Sequence, residues 1–166
     1  MDKELHAVGF RIGTETFALP ISLVREIVRV PEITAVPNVP DYIEGVINLR
    51  GRIISVVDLR KRFGETNIEK NRKNRVIVVE FGDRLVGLLV NSASEVLRIP
   101  PGDIEAPEDL FREDEVRFVT GVAKLKGRLV ILLDLAKVLG HSDLRRPDER
   151  VEAVNELEAS LTAQKY

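Results

Sequence analysis

The sequence predicts an all-β protein, two β-barrels packed against each other and built from two diverged copies of one motif. Three observations carry this prediction. Two stretches of chain recur in order, the recurring segments are short β-rich apolar runs, and turn-forming residues return at the same places in each copy.

The first recurring stretch runs from Phe10 to Pro31 (FRIGTETFALPISLVREIVRVP) and returns from Val79 to Pro100 (VEFGDRLVGLLVNSASEVLRIP). Gly13 matches Gly82, Leu19 matches Leu88, Glu26 matches Glu95, Arg29 matches Arg98 and Pro31 matches Pro100, all at an offset of 69 positions. The second stretch, Ile43 to Phe63 (IEGVINLRGRIISVVDLRKRF), returns as Val119 to Leu139 (VTGVAKLKGRLVILLDLAKVL) at an offset of 76. Gly45, Leu49, Gly51, Arg52, Asp58, Leu59 and Lys61 are identical to Gly121, Leu125, Gly127, Arg128, Asp134, Leu135 and Lys137. The change of offset is a longer loop in copy two.

Runs such as Val76-Ile77-Val78-Val79, Leu85 to Val90, Ile53 to Val57 and Leu129 to Leu133 are strand-like and bounded by Gly, Pro or polar turns. A strand with one wet face alternates, and these do not, so their outer faces are expected to be covered by helices or by the other copy. The pairs Arg50-Gly51 and Lys126-Gly127 read as tight hairpins, because Gly accepts a positive φ; Arg50 belongs at or near an exposed apex. Each copy closes on a short helix, with Asp58 and Asp134 placed to cap its start and Gly64 and Gly140 to take the left-handed position after it.

The polar stretch Gly64 to Asn74 reads as a link between copies, and Pro100 to Arg117 as an acidic loop peculiar to copy two, both expected to be solvated connections. After His141 a tail begins a helix near Pro147, with Val151, Val154, Leu157 and Leu161 on a narrow apolar stripe expected to pack on the body.

Composition narrows the function classes. With no cysteine among 166 residues, disulfides, thiolate nucleophiles and zinc–thiolate sites are excluded, which suits a reducing cytoplasm. The N-terminus lacks the basic and then apolar run of a signal peptide. No apolar stretch approaches the roughly 20 residues that span a bilayer, so no direct membrane insertion is expected. A net charge of -2 and the absence of Trp argue against nucleic-acid binding, which needs excess Lys and Arg or stacking rings.

Catalytic signatures are missing as well. The two histidines, His6 and His141, sit near opposite ends outside any motif, and no phosphate-cradling, zinc-protease or EF-hand pattern occurs. Glu113-Asp114-Glu115 lies in a polar loop where nothing apolar would raise a carboxyl pKa. Arg60-Lys61-Arg62 reads as cations favoured at the end of a short helix rather than as an anion site. No catalytic residue, metal or cofactor is expected. A carboxylate-only enzyme and a small-barrel nucleic-acid binder are the competing classes, and neither has a supporting motif.

The segment from Val36 to Gly64 (VPNVPDYIEGVINLRGRIISVVDLRKRFG) resembles the signature of CheW, the family of bacterial chemotaxis coupling proteins, and the likeness continues through Val76 to Pro100 and Phe118 to Gly140. The resemblance implies two SH3-like five-stranded barrels related by internal duplication, with short helices and a C-terminal helix. It implies one domain over residues 1–140, with a first barrel repeat at roughly 5–64 and a second at 75–140, exchange of strands between barrels being left open, and a helical tail over 141–166.

It further implies a non-catalytic cytoplasmic adaptor, recruited to membrane receptor arrays, that couples the cytoplasmic tips of chemoreceptors to the regulatory domain of the CheA histidine kinase. By position, Arg50 matches the family's receptor-contact arginine, Val24 and Glu26 match positions linked to receptor coupling, and Val96 falls on the corresponding second-barrel element. Gly45 and Gly51 match glycines needed for the fold or its contacts. Ser55 stands where the family often has Pro, and Asn91 where it often has Asp.

Overall fold

A computed structural model describes residues 4–110 and 117–140. The expected C-terminal helix and its apolar stripe lie outside the described residues. Copy one contributes β1 (Leu5–Ile12), β2 (Glu15–Pro20), β3 (Val24–Arg29), β4 (Ile43–Leu49), β5 (Arg52–Asp58) and the one-turn helix α1 (Leu59–Arg62). Copy two contributes β6 (Arg75–Phe81), β7 (Arg84–Val90), β8 (Ser92–Ile99), β9 (Ile104–Glu105), β10 (Val119–Leu125), β11 (Arg128–Leu133) and α2 (Leu135–Leu139).

The described strands form two sheets, and neither belongs to one copy. One has the order β3-β6-β7-β5-β4 and the other β8-β1-β2-β11-β10-β9. Each copy therefore lends its first hairpin to the other copy's sheet. Each lent hairpin is flanked on both sides by the other copy, through the antiparallel pairs β3 with β6 and β1 with β8 and through two parallel pairs, β5 with β7 (Val56 opposite Gly87) and β2 with β11 (Phe17 opposite Ile131), which the duplication relates to each other. All other neighbours are antiparallel.

The lack of alternation in the strands is explained by a core on each side. In β6 all of Val76, Ile77, Val78 and Val79 are buried. Val76 and Val78 point into a cluster enclosed by their own sheet with Ile47, Ile54, Val56 and Leu89. Ile77 and Val79 point the other way, into a central core between the sheets with Phe10, Leu19, Leu88, Leu133 and Leu139. The second sheet encloses the matching cluster, Ala7, Ala18, Leu97, Ala123, Val130 and Leu132. Residues from every strand of each sheet meet in its own cluster, which is what a sheet curled into a barrel produces. Burying a Leu or Val side chain contributes about 1.5–3 kcal/mol, so the central core shared by the two sheets stabilises their packing.

Local chemistry follows the expected punctuation. Asp58 accepts from the backbone N–H of Arg60 at 2.9 Å and Asp134 from that of Lys137 at 3.1 Å, capping α1 and α2. Gly64 and Gly140 follow the helices with positive φ, +79° and +67°, although Gly140, at ψ 159°, is outside the left-handed helical conformation expected of it.

The acidic loop departs from its reading as a solvated connection. It forms 3-10 turns at Pro101–Asp103 and Pro107–Asp109, and between them β9 pairs with β10, making the second sheet six-stranded. Copy one has a shorter version of the same device, since Thr34 exchanges two backbone hydrogen bonds with Val46, at 2.9 and 2.8 Å. In both halves the crossing strand lies against a glycine. A Cβ on Gly45 would stand 2.0 Å from the Thr34 carbonyl oxygen, and one on Gly121 would stand 2.8 Å from Ile104.

Arg60-Lys61-Arg62 also corrects its reading. Arg60 is 1% exposed and forms a bidentate ion pair with Asp58, Nε to Oδ1 at 3.0 Å and Nη2 to Oδ2 at 3.2 Å. Its Nη1 donates to the Glu69 carbonyl at 2.8 Å and to Asn74 Oδ1 at 3.3 Å, fastening the linker to copy one. Lys61 pairs with Glu44, and Arg62 crosses to copy two. All three stand in the last turn of α1, as expected, but each also has a specific partner that the helix dipole does not account for.

Candidate functional site

The β4–β5 turn is the centre of the candidate site. Arg50 and Gly51 both have positive φ, +51° and +86°, the signature of a type I′ turn, whose twist matches that of the flanking strands. A left-handed backbone at a non-glycine residue costs about 1–2 kcal/mol; here Asn48 offsets part of it by accepting from the Gly51 N–H at 2.9 Å. The second copy repeats the geometry with Lys126 at +47° and Gly127 at +81°.

The turn presents the Arg50 side chain, 74% exposed, to Glu26 on β3. Nη1 donates to Glu26 Oε2 at 2.6 Å and Nη2 to Oε1 at 2.7 Å, a fork-to-fork pair. β3 and β4 are the two edges of this sheet, so the pair spans the barrel's open seam. Hydrogen bonding to Arg50 holds the Glu26 carboxyl below the ordinary carboxylate range, and the same bond raises the Arg50 guanidinium. Guanidinium carries five N–H donors, and Glu26 takes two, leaving three on a largely exposed side chain.

The remaining expected residues are dispersed. Val24 begins β3, opposite Val79, and packs against the central core. Gly45 and Gly51 have unlike roles. Gly45, at φ +147°, lets the Thr34 strand cross, whereas Gly51 serves the turn with open space around it. Val96 lies on the other sheet, in β8 opposite Val8, and is 66% exposed. The structure thus joins Arg50 with Glu26, keeps Val24 on the same strand, and sets Val96 apart.

The matching position in copy two is built differently. Glu95, the counterpart of Glu26, pairs at 3.0 Å with Arg128, which is the counterpart of Arg52 rather than of Arg50. This pair borders a cavity of about 210 Å³ lined by Gly9, Phe10, Arg11, Thr16 and Ser92. Ile53 and Leu129, equivalent residues, are 59% and 61% exposed, apolar surface beside each turn that sequence reasoning missed. The signal was available: in both hairpins the apolar run begins one residue too early for the buried phase. Asn91 ties the two copies within the six-stranded sheet, accepting from the Gly13 N–H at 2.8 Å while its own N–H donates to the Arg11 carbonyl. Ser55 is buried with its hydroxyl unpartnered among the described residues.

Among the described residues no cluster of His, Cys, Asp or Glu could hold a metal ion, and no helix is long and apolar enough to cross a membrane. The arrangement offers a rigid charged fork, exposed apolar strand residues and two unlike faces, which is equipment for protein recognition.

Comparison with known proteins agrees. The family model for the CheW-like domain matches residues 6–143. The chain is 36% identical over 131 residues to the chemotaxis protein CheW of Rhizobium meliloti, covering 79% of this chain and 84% of that one. It is 36% identical over 139 residues to the chemotaxis protein CheW of Thermotoga maritima, covering 82% and 89%. The crystal structure of scaffolding protein TtCheW from Thermoanaerobacter tengcongensis superposes with a TM-score of 0.76 at 37% identity, covering 87% of this chain and 97% of that one. With the duplicated barrels, the N-L-R-G turn and a family match over most of its length, the chain belongs to the CheW-like domain family.

Proposed function

We propose that this protein is a chemotaxis adaptor that couples the cytoplasmic tips of chemoreceptors to the regulatory domain of the CheA histidine kinase. It works in the cytoplasm at receptor arrays and catalyses no reaction itself. The observation that carries this reading is the Arg50–Glu26 fork. An unpaired surface arginine must lose rotamer freedom when it binds; Arg50 is already held by Glu26 and the I′ turn, so its remaining donors are preorganised for a carboxylate or carbonyl on a partner. Val24 and Val96 are proposed as further receptor-coupling positions, the first by fixing the strand that carries Glu26, the second by exposed apolar area.

Immobilised receptor hairpin and CheA regulatory domain test the reading in parallel pull-downs. Both should be retained by the folded protein, and absence of both would sink it. Arg50→Ala should weaken receptor capture roughly tenfold, the effect of one interface anchor. The melting temperature should stay nearly unchanged, because an exposed ion pair is screened by solvent.

A further inference from the structure

We propose that Arg62 is a positioning residue that fixes the Arg50 hairpin relative to the second barrel, an inference that rests on the adaptor reading only for its consequence in receptor capture. Arg62 lies where the two copies meet. Its guanidinium sits 4.5 Å from the ring centre of Tyr42 and 4.9 Å from that of Phe118, and its Nε donates to the Val138 carbonyl at 2.9 Å. At the offset of 76, Phe118 is the counterpart of Tyr42 and Val138 is the counterpart of Arg62 itself. The side chain therefore lies at the pseudo-twofold axis, with both equivalent rings around one guanidinium that has no cationic counterpart at Val138; Arg117 of copy two reaches only the Phe118 ring, at 5.4 Å.

The same residues are the feet of the Arg50 hairpin. Tyr42 immediately precedes β4 and its carbonyl accepts from the Asp58 N–H at 2.7 Å, closing the hairpin's base, while α1, which carries Arg62, comes directly after β5. Seven residues of strand at about 3.3 Å each place the apex about 23 Å from this base, so a rotation of about 10° there would displace Arg50 by about 4 Å. A planar guanidinium resists such rotation in a way an aliphatic side chain does not, because stacking and the directed N–H bond fix its plane together.

The chain has no cysteine, so Arg52→Cys on β5 and Lys124→Cys on β10 give one spin label on an exposed site of each barrel. With Arg62 retained, the doubly labelled protein should show one narrow inter-label distance distribution. Arg62→Met, which keeps the stem, and Arg62→Lys, which keeps the charge, should both lose the narrow component, with a several-fold loss of receptor capture. Persistence of the narrow distribution in either folded variant overturns the proposal. So does a broadened distribution with receptor capture undiminished. If the unsubstituted protein captures no receptor, the adaptor reading fails and the distance measurement alone decides the role of Arg62.

Discussion

Arg60→Met should cost the folded state about 3–5 kcal/mol, the loss expected when one partner of a buried ion pair is removed. Met fills much of the volume of the Arg stem, so the penalty is electrostatic rather than a cavity. Asp58 loses two guanidinium hydrogen bonds and retains the backbone N–H of residue 60, and the Glu69 carbonyl loses its donor. For a chain of this length, with about 2–4 °C per kcal/mol, the melting temperature should fall by roughly 6–20 °C.

Asp58→Asn keeps the α1 cap without the charge, so the double variant should recover part of the loss, a coupling of about 2–3 kcal/mol in a double-mutant cycle. Equilibrium urea unfolding measures all four corners. Trypsin supplies a local reading, because Lys70, Arg72 and Lys73 lie in the exposed linker that Arg60 fastens, and cleavage there should accelerate in Arg60→Met. A loss below about 1 kcal/mol, the value of a surface pair, would refute the reasoning. Copy two carries the natural control: Ala136 occupies the position of Arg60, and its capping aspartate, Asp134, is not fully buried.

Gly45→Ala should destabilise by more than about 3 kcal/mol, since backbone atoms of the crossing strand cannot yield to a Cβ, whereas Gly51→Ala, strained but in open space, should lose about 1–2 kcal/mol in the same urea assay. Glu26 should titrate below the ordinary carboxylate range by carbon-detected NMR, and return towards it in Arg50→Ala. Because its folded value is depressed, the pair's contribution is present above the ordinary range and is lost as pH falls through the depressed value; an unmoved titration in the variant would count against the fork. Ser55→Ala should be neutral or stabilising by up to about 1 kcal/mol in thermal unfolding, because it removes a buried hydroxyl without a partner.

Repeats, turns and caps were legible because each depends on neighbouring residues: Asp58 caps the helix that starts beside it, and Arg50-Gly51 bends its own strands. Long-range choices were not. The identity of Leu19 with Leu88 says that two strands are equivalent but not which sheet each joins, since exchanged and unexchanged arrangements place the same residues in the same environments. Arg50 and Glu26 were each singled out, yet their union needed the closure of a curled sheet. Arg60 within an Arg-Lys-Arg triplet has the appearance of surface charge, and only the folded linker brings Glu69 and Asn74 to it. The short strand Ile104–Glu105 was hidden for a similar reason, its pairing being specified by the glycine at 121 that makes room for it rather than by its own composition.

The exchange of hairpins also dictates an order of events during synthesis. The five-stranded sheet can be completed once residues up to Val90 have left the ribosome, because β3 to β7 are contiguous. β1 and β2, made first, have no sheet to join until β8 and then β10 and β11 emerge, so the earliest hairpin must wait for nearly the last strand. Pairings of such long sequence separation are slow to form. An ancestor with one copy of the motif would have met the same demand from a second molecule, giving an intertwined homodimer that gene fusion later made a single chain.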